Sequence, residues 1–437
     1  MIAIAKRPMN WNAATQPSVP MGMRPRLKTS QAELDEIVRL HTMYQTARPG
    51  GQRALLSYRD LSGLNLAGKN LSDADFSGAF LIGTNLEGAN LQHSNFFGCN
   101  LSKANMRKAT LIRADLRGAC LRGCNLTGAN LFDCDLRDGR IAVRDRKGGL
   151  ADLPTDVGTS ELNGAILVNA NLSQAKLTGT AALHTDFTDA VMRGTKLVRA
   201  DMRHATLDGA NLEGADLSGA DLRNASLRGA NLTDVVTAMT ELGGADLTGA
   251  LTNGVCGKKV EDLPDTLPKL IRDHQRFVES NGAEGKPMLD LSGYDLRRAP
   301  SLAGAYLTGM KATGAVLFGL NLEGAWLQGA QLEGADLRNC KLAGADLRGA
   351  NLASARLNHA ELRDANLGPL TIGDVRTMVC RLEGAALRYV DLRRANLKNA
   401  NAKRVDLTNA NLTGALTVGT DLTDAILDGV EGFERGT

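Results

Sequence analysis

Aromatic side chains make up only 4% of this 437-residue chain. That scarcity excludes a thick globular core built on aromatic anchors and leaves room for a thin one filled by Leu and Ala. No run of about 18 apolar residues occurs, so no transmembrane helix is expected. Charge of one sign is also scarce: 51 basic and 48 acidic residues give a net +3. Even the extremes are mild, eight bases against three acids over 1–55 and eleven acids against seven bases over 161–250. Neither imbalance is that of a dedicated nucleic-acid binder. The seven cysteines are odd in number and scattered, which fits a reducing compartment better than a disulfide framework. The opening Met1 to Ala5, followed by Lys6 and Arg7, has neither the apolar length nor the cleavage site of a secretory signal, so a cytoplasmic protein is expected. Phosphate-loop, HExxH and CxxC motifs are absent, as is a Ser–His–Asp order.

What is present is a period of five. Apolar residues stand at Leu61, Leu66, Leu71, Phe76, Leu81, Leu86, Leu91 and Phe96, and the series continues with two interruptions to Leu427. This spacing suits neither an amphipathic helix nor a plain alternating strand, so it is read as a repeat. Three blocks follow: Leu61 to Leu136 with 16 units, Leu162 to Leu247 with 18, and Leu302 to Leu427 with 26. The weak centres are Ala182, Thr237, Ala312, Thr377, Ala402 and Thr417. Around the centre the consensus is Ala-(Asp/Asn)-Leu-X-Gly, as at Ala345-Asp346-Leu347-Arg348-Gly349. The small residue two positions before Leu shares its face in an extended segment, so both point inward. The next two residues turn a corner, and each unit becomes one side of a coil.

These residues resemble the pentapeptide repeat family, whose A(D/N)LXX motif covers about 300 residues here. The resemblance implies an all-β solenoid, a right-handed quadrilateral β-helix with four units and twenty residues per coil. Sixty units would make about 15 coils. Period five alone does not choose four sides over three. Unusual residues do return twenty apart: Phe76 with Phe96, Ile112 with Phe132, His184 with His204, Tyr306 with Trp326.

The breaks in the period suggest a domain plan. Residues 1–28 hold four prolines and five basic residues without periodicity and read as a flexible tail. Over 29–55, Ser30 to Glu33 matches a capping box, and Leu34, Ile37, Val38, His41 and Tyr44 follow at helical spacing. Repeats occupy 56–140; the 141–160 insert shifts the register by one and reads as a loop or hairpin; repeats resume over 161–250. Residues 251–290 contain a second helix, starting at Asp265-Thr266-Leu267-Pro268, with a stripe of Leu270, Ile271, His274, Phe277 and Val278, before repeats over 291–437. The helices align through Arg39-x-His41-x-x-Tyr44 and Arg272-x-His274-x-x-Phe277, and matching lead-ins follow at Asp60-Leu61-Ser62-Gly63 and Asp290-Leu291-Ser292-Gly293. This is an internal duplication of a helix-capped module, of a kind that resembles bacterial repeat proteins. A helix across the open end of a β-helix would cover unpaired edges and exposed Leu.

Chemistry is thin. His184 and His204 sit outward, one coil apart, and with Asp186 could seat a metal, although a surface polar stack is the plainer reading. His93 and His359 occupy the same outward position singly. His41 and His274, on apolar stripes, are expected to pack. Cys99, Cys124, Cys134, Cys340 and Cys380 fall at the inward small-residue site, leaving Cys120 and Cys256 as candidate reactive thiols. No cofactor site is read, and a filled narrow coil offers no catalytic pocket, so no enzyme is expected. Tyr306 and Trp326 form an outward aromatic stack, with Val316 and Phe318 read as lying around the corner. Such a stack marks a partner surface. Cover by the second helix, 266–280, is preferred to an external partner.

The expected function is a non-enzymatic scaffold or protein-interaction surface, binding an unidentified protein or a second copy of itself. The runner-up comes from the resemblance, because some family members inhibit DNA gyrase as acidic rods of DNA-like width. Asp201, Asp221 and Glu241 do form an acidic column, but Arg203 and Arg223 stand two residues along the same face. Nucleic-acid binding through Arg388, Arg393, Arg394, Lys398, Lys403 and Arg404 is disfavoured by the neighbouring Asp391 and Asp406. A small-molecule or metal site at the His184/His204 pair is the third reading.

Overall fold

A computed structural model describes residues 27–139, 142–144, 150–152, 160–254, 257–284, 288–373 and 376–433. Most of the 1–28 segment, much of the 141–160 insert, and Cys256 lie outside the described residues. The chain forms two compact units, Met1–Asn253 and Gly254–Thr437.

One pentapeptide shows why the chain coils. Leu91 is fully buried, and its N–H donates to Thr110 O at 2.7 Å, while Asn90 N–H donates to Lys69 O at 2.9 Å. Asn90 Oδ1 accepts from the backbone N–H of Gln92 at 3.2 Å, and Ser94 N–H closes the turn onto Leu91 O at 3.3 Å. His93, third in that turn, has φ of +55°. The side chain before the centre thus shapes the corner, which explains the preference for Asp or Asn there. Where Ser or Thr replaces the inward Ala, its hydroxyl reaches a central carbonyl of the neighbouring coil, as Thr84 Oγ1 does to Leu61 O at 2.9 Å. The buried polar group is therefore satisfied.

Parallel bridges join residues twenty apart, such as Asn85 with Asn105 and Asp201 with Asp221. Four five-residue sides therefore complete each coil, and the fold is a β-helix solenoid. The core is a ladder of Leu and Ala, with Phe76 and Phe96 stacked in adjacent coils at a centroid distance of 4.7 Å. Full burial of each such Leu is worth about 1.5–3 kcal/mol.

Departures from twenty mark the inserts. Cys120 pairs with Glu161, and within the insert β1 (Ala142–Arg144) pairs antiparallel with β2 (Leu150–Asp152). Asp295 pairs with Val316, because one extra residue separates Leu296 from Leu302. Before it, β3 (Lys258–Lys259) pairs in parallel with β4 (Tyr294–Asp295). Asn351 pairs with Arg381, thirty residues on. The third block is therefore interrupted, and Thr377 is no centre of a coil side. It belongs to a hairpin of β5 (Leu370–Ile372) and β6 (Arg376–Met378). That hairpin lies against Gly349, where a Cβ would come within 2.9 Å of Leu370 Cβ and 3.1 Å of Met378 Cβ.

Helix α1 spans Gln31–Gln45 and buries Leu34, Val38 and His41. Ser30 Oγ accepts from Glu33 N–H, and the Glu33 carboxylate takes a hydrogen bond from Arg59. Helix α2 spans Leu267–Glu279, with Thr266 as N-cap, and buries Leu267 and His274. Ile37, Leu270 and Ile271 are half-buried against their cores, Phe277 is half-buried, and Tyr44 is exposed. Among the described residues no helix is long and apolar enough to cross a membrane.

Candidate interaction surface

Tyr306 and Trp326 stand immediately before the buried centres Leu307 and Leu327, so the strand alternation turns both rings outward. They are bridged in adjacent coils, and their rings stack at a centroid distance of 5.6 Å. Trp326 remains 52% exposed. Cover by the second helix, preferred from the sequence, does not extend to it. Beside the rings runs a polar chain on the same face. Thr308 Oγ1 donates to Gln328 Oε1 at 2.7 Å, Gln328 Nε2 donates to Asp346 Oδ2 at 2.8 Å, and Arg348 closes on Asp346.

Val316 and Phe318 do not join this stack. Two units, hence two corners, separate Val316 from Tyr306, and with four sides per coil that places it on the opposite face. Val316 pairs there with Asp295 and Asp336, and Phe318 lies under the Arg338 guanidinium at 5.3 Å. Both are half-buried.

At Asp201 and Asp221 the acidic column is closed by arginine. Arg203 donates to Asp201 through Nε at 2.8 Å and Nη2 at 2.7 Å, and Arg223 grips Asp221 at 2.9 and 2.6 Å. The same two-point clamp recurs at Asp115/Arg117, Asp135/Arg137, Asp295/Arg297, Asp336/Arg338, Asp346/Arg348 and Asp391/Arg393. Each is an Asp-X-Arg in which the middle residue points inward, leaving its neighbours side by side outside. The sequence reading noted this at two positions; the spacing would have yielded all eight. Hydrogen bonds from Arg203 and Arg223 hold the Asp201 and Asp221 carboxyls below the usual carboxylate range. The basic group near the C-terminus is likewise engaged: Arg393 with Asp391, Arg394 with Asp364, Lys403 with Asp421 and Arg404 with Glu383.

His184 and His204 are exposed corner residues whose rings stack at 5.0 Å. The nearby Asp186 carboxylate is occupied by the N–H and hydroxyl of Thr188. Among the described residues no three His, Cys, Asp or Glu side chains come together to hold a metal. His359 is not single: the hairpin shifts its neighbour to Tyr389, with ring centroids 5.1 Å apart. Cys99, Cys124, Cys134, Cys340 and Cys380 are buried, and Cys120 is half-buried. Burial raises the five buried thiols, Cys380 to about 12.

A family model described as pentapeptide repeats matches repeatedly, over residues 56–92, 89–128, 99–138, 160–194, 195–234, 301–334, 330–368, 380–414 and 406–431. No curated protein matches the chain. Among solved structures, the chain is similar to HetL, a pentapeptide repeat protein involved in heterocyst differentiation regulation from the cyanobacterium Nostoc sp. strain PCC 7120. The identity is 33%, over 46% of this chain and 83% of HetL, with a TM-score of 0.24. Trypsin-treated QnrB1, a plasmid-mediated fluoroquinolone resistance protein, is 21% identical over 46% of this chain and 90% of its own, with a TM-score of 0.26. Rfr23, a pentapeptide repeat protein from the cyanobacterium Cyanothece 51142, is 29% identical over 30% and 89%, with a TM-score of 0.19. The family model spans well over half of the sequence, and the chain belongs to the pentapeptide repeat family.

Proposed function

We propose that this protein is a non-enzymatic, cytoplasmic interaction scaffold. Its two units wind right-handed coils, about 15 in all, and α1 and α2 cap the first coils of the unit each belongs to. The observation that carries this reading is the closure of the outward acids by arginine. A surface whose acidic column is clamped at Asp201 and Asp221 carries little net field there and offers no continuous polyanion to a DNA-binding partner. What it does offer is Trp326, exposed and held rigid by Tyr306, on a face bounded by the Thr308–Gln328–Asp346 chain. A preordered aromatic beside satisfied polar groups suits a protein partner.

Affinity capture with the intact chain and with a Tyr306→Ala/Trp326→Ala variant tests the assigned face. A partner retained by the first and lost by the second supports it, and equal recovery refutes it. The second reading, a DNA-mimic modulator of gyrase or topoisomerase, draws on family precedent and on the acidic excess over 161–250.

A further inference from the structure

We propose that α1 and α2 are each held by a histidine latch that opens on acidification, so that mild acid releases both helices from the coils beneath them. This rests on the reading of the helices as caps. The two latches are built alike. His41 Nε2 lies 3.0 Å from Ser72 O, and its Nδ1 accepts from the backbone N–H of Ala54 at 3.1 Å. His274 Nε2 lies 2.9 Å from Thr308 O, and its Nδ1 accepts from the N–H of Leu289 at 3.1 Å. In each unit the ring therefore ties the helix to the lead-in segment and to a residue just past a coil centre. Both rings are buried, at 0% and 1% exposure.

The bonding fixes the protonation state. A backbone N–H only donates, so Nδ1 keeps its lone pair; a carbonyl only accepts, so Nε2 carries the hydrogen. The latch is thus one tautomer of a neutral imidazole. A second proton must enter at Nδ1, directly against the Ala54 or Leu289 N–H. It would break that bond, strand a backbone donor and leave a charge inside the fold.

The neighbours offer a weak counterbalance at one latch. Asp73, on the coil below His41, favours its charged form, and Arg53 in the lead-in opposes it. On α1 itself, Gln45 is neutral and donates to the same Ser72 O at 2.7 Å, while Tyr44 stacks on the ring at 5.9 Å. At His274 burial and the Thr308 bond, with no charged side chain, act on the ring. On α2 and before it, Asp265 pairs with Lys269, with Asp273 and Arg272 acting on the same ammonium, and in the lead-in Asp290 accepts from the N–H of Ser292 at 2.9 Å, with Lys311 and Lys258 acting on it more weakly. Burial holds both histidines below the usual imidazole range, against the raising effect of the carbonyl bond.

A group depressed in the docked state and ordinary when released favours docking at pH above its released value and loses that contribution as pH falls. Each latch is therefore fully effective above about pH 6.5 and weakens by up to about tenfold per pH unit below it.

Amide hydrogen exchange of the full chain, corrected for intrinsic rates, tests this at about pH 7.5 and about pH 5. Protection over 34–45 and 270–279 is expected to fall about tenfold or more at the lower pH while coil amides such as Leu347 hold. A His41→Gln/His274→Gln variant, whose amides can donate and accept in the same places without titrating, is expected to keep its helices protected at both. Equal protection of the wild-type helices at both pH values would overturn the proposal, as would parallel loss in the glutamine variant. Helices unprotected already at pH 7.5 would overturn the cap reading with it. On the wild type alone, nitrogen-15 NMR is expected to show both histidines with the proton on Nε2 at pH 7.5; a proton on Nδ1 would also refute the latch.

Discussion

Arg203 lies alongside Asp201 so that Nε meets Oδ1 and Nη2 meets Oδ2, while the same Nε approaches Asp221 of the next coil at 3.6 Å. The column of carboxylates is thus interleaved with guanidinium groups, each coil supplying its own and leaning on its neighbour. Coil stacking imposes this: side chains one coil apart are about 5 Å apart, so unpaired like charges would repel along the whole face.

The arginines in this column act on the field more than on stability, because the pairs are partly solvated. Arg203→Ala/Arg223→Ala is expected to leave the unfolding free energy little changed, because exposed ion pairs contribute little, while lowering the isoelectric point. Urea denaturation and isoelectric focusing check the two halves.

Core substitutions are expected to behave differently. Phe96→Ala removes a ring stacked on Phe76 and leaves a void in a thin core, at a cost of about 3–5 kcal/mol. Equilibrium denaturation measures it, and exchange mapping should place the loosening in the coils around 76–116, because a solenoid transmits strain mainly to its neighbours.

Gly349 and Gly344 form a matched pair. Both have φ near +65°, but a Cβ at Gly344 meets nothing within 4 Å, whereas at Gly349 it strikes β5 and β6. Alanine at 344 is expected to cost about 1–2 kcal/mol for the left-handed backbone alone. At 349 it should cost more and expose the hairpin to proteolysis, which limited digestion of the two variants checks.

Thiol labelling of the native protein is expected at Cys120 and not at Cys99, Cys124, Cys134, Cys340 or Cys380, which should react only after unfolding. Alkylation followed by peptide mass spectrometry reads each site.

The coil was legible because inward Leu, small residue and corner repeat with one phase, and the twenty-residue return of Phe76 at Phe96 pointed to four sides. The insert at 141–160 was legible because the step from Leu136 to Leu162 is 26 residues, which shifts the phase by one. The hairpin at 370–378 adds ten residues, which leaves the phase intact and lets Ile372 and Thr377 masquerade as centres. Gly373-Asp374 between Leu-Thr-Ile and Val-Arg-Thr is the turn signal that could have revealed it. The same hidden shift concealed the stacking of His359 on Tyr389. Phe318 was misplaced for another reason: side assignment needs a count of corners, and its distance from Tyr306 spans two.

The most direct test of the neutral-scaffold reading is a DNA gyrase supercoiling assay with the purified full chain. A surface whose acidic column is clamped at Asp201 and Asp221 is expected to leave supercoiling unchanged. Inhibition at low micromolar concentration would contradict the account and favour DNA mimicry.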